Sequence, residues 1–331
     1  MTFVVGAGDE IEHSELPALE QLVVMGYEYK SKTDLNKERK KTTEVLLYGR
    51  LREAIQRINP DIDSDGINDA LNQIKEDSFP FTYDTMDTNE KIRAKMVGLS
   101  QTGGLEPITV DQYDETGTRK KTVKLFDFEN IDNNDFVVTN QFELQGFKNP
   151  IFPDIILFVN GIPLVIIECK SPFRKNWLDD AVEKENFRKY RSTGNGYERL
   201  MFYNHVLVAT CGVEARHGTI SSDVNHFKNS RWSSAYPLSI EQVEEKYGRS
   251  REQEILIAGM LERSHLLDLL KNYVIYQTIN NKRIKIIAKH QQYRAVTKCT
   301  AKIKTAENRR GGVIWHTQGS GKSFTMQWVA K

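Results

Sequence analysis

The sequence contains few cysteines and no long apolar run. Its 331 residues include only three cysteines, Cys169, Cys211 and Cys299, and these lie far apart. Such spacing excludes a disulfide framework and a cysteine-rich zinc site. No apolar run approaches the ~20 residues that a membrane-spanning helix needs, and the first residues lack the basic and apolar segments of a secretory signal. We therefore expect a cytoplasmic protein with no membrane partner.

A net charge of one sign is also absent, because 46 Lys and Arg residues balance 45 Asp and Glu residues. The even total hides an asymmetry along the chain. From Lys271 to Lys331 there are 13 basic residues and one acidic residue, so this segment carries +12. Residues 1–270 hold the other 33 basic and 44 acidic residues, a net charge of −11. The basic end favours contact with phosphate groups of a nucleotide or of DNA.

The apolar pattern predicts an α/β fold built around a mixed sheet. Two β-type runs at 155–159 and 164–167 flank an Asn-Gly-Ile-Pro turn, and a charged helix over 177–191 leads to a strand at 206–209. This β-β-α-β order is typical of α/β and α+β domains. Residues 239–310 carry helical stripes of Leu and Ile, and a last strand is expected over 312–316, directly before a glycine-rich turn.

The glycine-rich turn has the composition of a phosphate-binding loop. Glycines let successive backbone N–H groups point at phosphate oxygens, and a following helix adds its positive N-terminal dipole. Lys322 would reach the β- and γ-phosphates of ATP, and the Ser323 hydroxyl would bind Mg²⁺. The strict motif has Gly five residues before Gly321, where this chain has His316. The candidate ATP-binding residues of the loop are Thr317, Gly319, Ser320, Gly321, Lys322 and Ser323. The alternative interpretation is a flexible Gly-Ser turn with a chance lysine.

A second group of polar residues lies at the ends of the two apolar β-runs. Asp154 precedes the first run, and Glu168 and Lys170 end the second. Charges there are costly to bury unless they are paired or bind a metal, and residues two apart in a strand share a face. The two carboxylates and the Cys169 carbonyl would form an oxygen site for Mg²⁺, beside which Lys170 would orient or activate water and stabilise phosphate charge. The alternative is an Asp–Lys or Glu–Lys ion pair that caps the hairpin.

The two interpretations differ in the register of the hairpin. If Asn160 and Gly161 form a strict two-residue turn, Asp154 faces Ile167 and points away from Glu168. A three-residue turn, or one bulge, places Asp154 opposite Glu168 so that the carboxylates converge. We predict this second register, and a strict two-residue hairpin would exclude the metal site.

The two motifs, in this order, resemble those of the restriction (motor) subunit of type I restriction–modification enzymes. The resemblance is carried mainly by residues 153–170 and 311–323, with weaker likeness at 46–60, 204–219 and 285–296. It implies a nuclease of the PD-(D/E)xK fold, with a mixed sheet flanked by helices. A helical segment and the beginning of a RecA-like P-loop lobe of a superfamily 2 translocase would follow.

The resemblance also implies roles for single residues. The cleavage residues would be Asp154, Glu168 and Lys170. Gln292 matches the glutamine that contacts adenine, although Gln291 is an adjacent competitor. Tyr190 matches the tyrosine of a Gln-x-x-x-Tyr motif, in which this chain has Asn186 in place of the glutamine. For Tyr190 the alternative is packing on a helix face.

From these patterns we place the nuclease at residues 1–235, a helical connector at 236–284 and the start of the motor lobe at 285–331. The implied function is Mg²⁺-dependent cleavage of double-stranded DNA coupled to ATP-driven translocation, in a complex with methyltransferase and specificity subunits. Because the family's motor has two lobes, we expect an N-terminal fragment that does not hydrolyse ATP unaided.

Two other functions compete with a restriction nuclease. One is an ATP-driven DNA translocase whose N-terminal domain is a non-catalytic docking module, with its carboxylates in structural ion pairs. The other, a small-molecule P-loop kinase, is disfavoured because the phosphate loop of such a kinase usually lies near the N-terminus rather than behind 300 residues.

Overall fold

The computed structural model describes residues 3–75, 84–98, 107–114, 117–305 and 311–330. The strands in these ranges are β1 (Glu28–Tyr29), β2 (Thr109–Asp114), β3 (Gly117–Thr122), β4 (Phe136–Asn140), β5 (Leu144–Gln145), β6 (Pro150–Ile151), β7 (Ile155–Val159), β8 (Ile162–Cys169), β9 (Val206–Thr210), β10 (Ala215–Gly218), β11 (Val274–Ile279) and β12 (Lys282–Ile287). The α-helices are α1 (Leu16–Val24), α2 (Lys32–Glu38), α3 (Tyr48–Ile58), α4 (Ser64–Ile74), α5 (Thr85–Val97), α6 (Trp177–Asp179), α7 (Phe187–Arg191), α8 (Glu198–Tyr203), α9 (Val224–Lys228), α10 (Ile240–Tyr247), α11 (Glu252–Met260), α12 (Arg263–Asn272), α13 (His290–Thr305) and α14 (Lys322–Ala330). Other helical turns are Ile11–Glu15, Ile131–Asn133 and Asp180–Lys184. None of these helices combines the length and apolar character needed to cross a membrane.

A six-stranded mixed sheet forms the centre of the described chain, in the order β1-β4-β7-β8-β9-β10. β1 is parallel to β4 and β8 is parallel to β9, whereas the other neighbours are antiparallel. β7 and β8 lie in the middle of the sheet, and every side chain in both strands is buried. Burial on both faces explains why these strands are continuous apolar runs. The predicted α/β class, mixed sheet and β-β-α-β order are confirmed, although the helix expected over 177–191 is divided into α6, the turn Asp180–Lys184 and α7.

The register of β7 and β8 changes along the hairpin. Beside its two-residue turn, Val159 pairs with Ile162. Farther from the turn, Leu157 pairs with Val165, so that Leu164 is an extra residue and forms a β-bulge. The strict two-residue hairpin that would exclude a metal site is therefore not formed.

The bulge brings two acidic residues to the same end of the hairpin. Beyond it, Ile155 pairs with Ile167, and the next residues in line are Asp154 and Glu168. The predicted register is thus confirmed, and one bulge produces it.

The helical prediction for residues 239–310 is wrong at its centre. Helices α10, α11 and α12 form, but residues 274–287 then fold as the β11–β12 hairpin. Its turn residues Asn280 and Asn281 both adopt a left-handed backbone, with φ of 49° and 59°. Asn tolerates this conformation better than most residues, and the flanking segments are rich in Ile, which favours strands. The hairpin signal was present in the sequence.

The strand predicted over residues 312–316 is also not formed, although α14 follows the loop as expected. No strand in the described ranges pairs with this segment. Val313 and Trp315 are 88% and 91% exposed. An extended segment becomes a strand only when a neighbour completes its hydrogen-bond ladder, so local propensity alone was insufficient.

The hairpin turn offers a test of the packing that fixes the register. Gly161 has φ of 76°, and a Cβ there would lie 2.5 Å from the Leu47 carbonyl oxygen. We expect Gly161→Ala to lower the free energy of unfolding by about 3 kcal/mol in urea denaturation, because left-handed strain adds to the clash. Gly248→Ala, at φ of 74° but in open space, should lower the free energy of unfolding by only about 1 kcal/mol. Equal losses in the two variants would contradict this packing.

Candidate metal centre and phosphate loop

Asp154, Glu168 and Lys170 converge at one end of β7 and β8. The Lys170 Nζ atom lies 3.9 Å from Asp154 Oδ2 and 3.9 Å from Glu168 Oε2. It also donates a hydrogen bond of 2.9 Å to the Cys169 carbonyl oxygen. All three charged side chains are buried, with Asp154 the most exposed at 7%. The structure therefore places the three residues of the sequence motif around one point.

The carboxylate of Asp154 is held by hydrogen bonds at both oxygens. Its Oδ2 atom accepts a hydrogen bond of 2.7 Å from the Cys169 backbone N–H, and its Oδ1 atom accepts one of 3.2 Å from Gln141 Nε2. Burial raises the pKa of Asp154, and the charge of Lys170 opposes that rise. These contacts fix the direction of the Asp154 side chain.

The carboxylate of Glu168 is fully buried, but neither of its oxygens makes a hydrogen bond of normal geometry with the residues that the structure describes. Burial raises its pKa well above the usual range, and the neighbouring charge of Asp154 adds to that rise. A buried acceptor without a donor costs free energy unless something else binds it. Glu168 therefore has the properties expected of a ligand for a cation.

In the metal-free protein, Lys170 supplies the positive charge between the two carboxylates. Burial by itself lowers the pKa of an ammonium, but Asp154 and Glu168 outweigh burial and raise the pKa of Lys170. The side chain is therefore an ammonium ion at neutral pH and can donate hydrogen bonds but not act as a base. It contacts the same three oxygens that the sequence assigned to a metal.

The donor set fits a hydrated hard cation. Within the described ranges, no three His, Cys, Asp or Glu side chains group around a common point. Asp154, Glu168 and the Cys169 carbonyl oxygen remain as donors, which suits Mg²⁺ because it keeps several waters and needs only one or two carboxylates. A zinc site with several His and Cys ligands does not fit these residues.

Tyr190 approaches this group from α7. Its ring is buried, and its hydroxyl accepts a hydrogen bond of 3.4 Å from Asn186 Nδ2. Burial raises the pKa of Tyr190 well above its usual range, and the charge of Glu168 raises it further. Tyr190 thus keeps its proton next to Glu168. The structure shows the ring buried, as the packing interpretation expects, and also the hydroxyl near the carboxylates. Asn186, in the position of the family glutamine, contacts Tyr190.

Three further polar residues near the site were not found from the sequence. Glu15, at the end of the first helical turn, accepts a hydrogen bond of 2.9 Å from Asn140 Nδ2, and its other oxygen lies 3.5 Å from Gln141 Nε2. Burial raises the pKa of Glu15 to about 7. Glu15 lies more than 100 positions from Asn140 and Gln141 in the chain, and no motif joins it to them. The only local signal was a pair of amides, Asn140 and Gln141, at the end of a β-run.

The phosphate loop curls as glycine permits, and Gln292 contacts it. Gly319 and Gly321 have φ of 76° and 79°, and the loop leads directly into α14. Gln292 Nε2 donates hydrogen bonds of 3.2 Å and 3.1 Å to the carbonyl oxygens of Ser320 and Gly321. Lys322 Nζ donates one of 3.1 Å to the His316 carbonyl oxygen.

The other candidate ATP-binding residues lie in the same loop that Gln292 contacts. The Ser320 N–H donates to the Thr317 carbonyl oxygen at 3.3 Å, and Ser323 is exposed at the first turn of α14. Gln291 instead lines a neighbouring cavity of about 340 Å³ with His290 and Arg294. The structure therefore brings Gln292, and not Gln291, to the phosphate loop.

The raised pKa of Glu15 predicts a pH-dependent stability. Between pH 4.5 and about 7 the unfolded chain releases this proton while the folded chain retains it, so stability falls with rising pH and levels off above 7. In urea denaturation, we expect the free energy of unfolding of Glu15→Gln to be about 2 kcal/mol higher than that of the parent at pH 8 and equal to it at pH 4. Glu20→Gln, an exposed carboxyl on α1, controls for the loss of a charge. A gain from Glu15→Gln that is the same at pH 4 and pH 8 would contradict this account.

Comparisons with known proteins match both parts of the chain. The family model for the type I restriction enzyme R protein N terminus matches residues 9–226, and the model for the SWI2/SNF2 ATPase matches residues 291–331. A putative type I restriction enzyme MjaIXP endonuclease subunit of Methanocaldococcus jannaschii is 31% identical over 342 residues, covering 96% of this chain and 30% of that protein. The type I restriction enzyme HindI endonuclease subunit of Haemophilus influenzae is 30% identical over 329 residues, covering 94% of this chain and 29% of that protein.

These matches cover the whole carboxylate site. Asp154, Glu168, Lys170 and Tyr190 all lie within residues 9–226. The chain spans about three tenths of the length of the two relatives. The chain belongs to the type I restriction enzyme R protein family.

Proposed function

We propose that this chain provides the nuclease, and the first part of the motor, of an ATP-dependent type I restriction endonuclease that cleaves double-stranded DNA. The observation that carries the proposal is the convergence of two buried carboxylates, one of which makes no hydrogen bond of normal geometry with any described residue. Membership of the R protein family and the relatives named as endonuclease subunits support it. The sheet and the position of the acidic residues also agree with a PD-(D/E)xK nuclease.

In the proposed cleavage site, Asp154, Glu168 and the Cys169 carbonyl hold Mg²⁺. When bound, Mg²⁺ supplies a Lewis acid that polarises the phosphate and lowers the pKa of a coordinated water. Lys170 donates hydrogen bonds to the attacking water or a phosphate oxygen and stabilises the developing negative charge. Tyr190 keeps its hydroxyl proton beside Glu168 and directs that carboxylate.

In the proposed motor segment, the loop residues bind ATP. Backbone N–H groups of Thr317, Gly319, Ser320 and Gly321 surround the phosphates, with Lys322 on the β- and γ-phosphates and Ser323 on the accompanying Mg²⁺. The amide of Gln292, beside this loop, contacts adenine. The match of residues 291–331 to an ATPase family supports this assignment. The proposal also includes ATP-driven DNA translocation and a cytoplasmic location. The proposed partners are methyltransferase and specificity subunits.

One observation favours a second function. Because Lys170 lies at the same distance from both carboxylates, the three charges also form a buried ion triplet. In that case the N-terminal domain is a docking module of a DNA translocase and has no nuclease activity.

Substitution of the site separates the two functions. In the complete polypeptide, assembled with its partner subunits, we expect Asp154→Ala and Lys170→Ala to lower plasmid cleavage more than about 100-fold while ATP hydrolysis persists. The first variant loses a metal ligand, and the second loses the cation that stabilises the developing negative charge. Glu244→Ala and Lys246→Ala alter an exposed Glu-x-Lys sequence and should cleave normally. Cleavage retained in the Asp154→Ala variant would favour the docking module.

Substitution of the phosphate loop should have the opposite effect. We expect Lys322→Ala in the complete polypeptide to abolish ATP hydrolysis, because the β- and γ-phosphates lose their cation, while Mn²⁺ still binds at the carboxylates. ATP hydrolysis and Mn²⁺ binding would be measured on the same preparation. Lys302→Ala, an exposed lysine of α13, is the control. Normal ATP hydrolysis by Lys322→Ala would contradict the role of the loop.

A further inference from the structure

Gln141 has a backbone conformation that is uncommon for a residue with a side chain. Its φ is 51°, directly after β4, in the left-handed region that favours glycine. Among residues other than glycine, such conformations cluster at functional sites, where neighbouring contacts maintain them. Gln141 lies next to the carboxylate pair, so we ask which contacts at this site maintain its left-handed backbone.

The left-handed backbone lets Gln141 contact Asp154 twice. The Gln141 backbone N–H donates a hydrogen bond of 3.0 Å to the Asp154 carbonyl oxygen, and its Nε2 atom donates one of 3.2 Å to Asp154 Oδ1. The other oxygen of Asp154 accepts from the Cys169 backbone N–H. Gln141 is therefore the side chain that completes the hold on Asp154.

The same amide also faces a second carboxyl. Gln141 Nε2 lies 3.5 Å from Glu15 Oε2, while Asn140 holds the other oxygen of Glu15. A neutral amide can donate to both acids without adding a charge that would compete with a bound cation. A lysine in this position would add such a charge.

We propose that Gln141 is a positioning residue for the metal centre, and that its left-handed backbone directs its amide to hold Asp154 in register with Glu168. This proposal rests on the proposed nuclease function, because it concerns the same pair of carboxylates. Loss of the amide frees one oxygen of Asp154 and lets the carboxylate rotate away from Glu168. The effect is then a weaker metal site in a protein that is otherwise intact.

Two substitutions remove the hydrogen bond and keep the backbone. Gln141→Gly retains the left-handed conformation at no steric cost and deletes the amide. Gln141→Asn keeps an amide on a residue that tolerates this conformation, but its side chain is one methylene shorter and does not reach Asp154 Oδ1. The matched control is Asn281→Gly, which makes the same kind of change at an exposed turn residue with φ of 59°.

The measurement is Mn²⁺ binding to the complete polypeptide, followed by electron paramagnetic resonance of the free ion, together with the melting temperature of each metal-free variant. We expect Gln141→Gly and Gln141→Asn to bind Mn²⁺ about 10- to 100-fold more weakly than the parent, as is typical for loss of a residue that orients a ligand. Their melting temperatures should match that of Asn281→Gly within about 2 °C, a shift too small for a general loss of structure.

The possible failures are distinguishable. If both Gln141 variants bind Mn²⁺ as tightly as the parent, and Asp154→Ala does not bind it, the metal centre stands and the positioning role of Gln141 is overturned. If the parent itself binds no Mn²⁺, or if Asp154→Ala binds it equally well, the proposed metal centre is overturned and the role of Gln141 with it. Weak binding by the Gln141 variants at an unchanged melting temperature supports the proposal.

Discussion

The close approach of two buried carboxylates, Asp154 and Glu168, is the constraint on which the rest of this site depends. Negative charges repel each other strongly where water is excluded, and burying each one is costly. The central sheet nevertheless brings them together, because one bulge in the β7–β8 hairpin shifts the register by a residue. Without the bulge Asp154 would face the other side of the sheet, and the polar network around it would have no centre.

The neighbouring residues can be understood as responses to that constraint. Lys170 provides a positive charge against both acids, and Asp154 is held through both oxygens, whereas Glu168 accepts no hydrogen bond of normal geometry from the described residues. Removing one partner of a buried ion pair typically costs about 3–5 kcal/mol, so Lys170 stabilises the metal-free protein. A divalent cation offers a stronger match to the same oxygens. The site is therefore stable without metal and still contains an acceptor that a metal would satisfy.

The fold and the site were predictable from the sequence where the determining interactions are local. The apolar runs and the turn predicted the hairpin. Counting residues around the turn left two registers open, and the predicted convergence of Asp154 with Glu168 depends on the bulge that the structure contains. Glu15 could not be predicted, because its contacts join segments more than 100 residues apart. Gln141 could not be predicted either, because its contact with Asp154 depends on a left-handed backbone angle that no composition reveals. The β11–β12 hairpin was missed although its Asn-Asn turn carried a signal. The strand expected at residues 312–316 did not form for the opposite reason, since its propensity was present but no strand in the described part of the chain pairs with it. The assignments of nuclease and motor residues, and the domain boundaries at 235 and 284, stay predictions.

The most direct measurement is an anomalous-scattering map from crystals of this protein soaked in Mn²⁺. The account predicts a single strong peak between the carboxylates of Asp154 and Glu168, with the Lys170 ammonium displaced from the Cys169 carbonyl oxygen. A map with no peak at this position, in which Lys170 still contacts all three oxygens, would contradict the account and identify the three charges as a structural ion triplet.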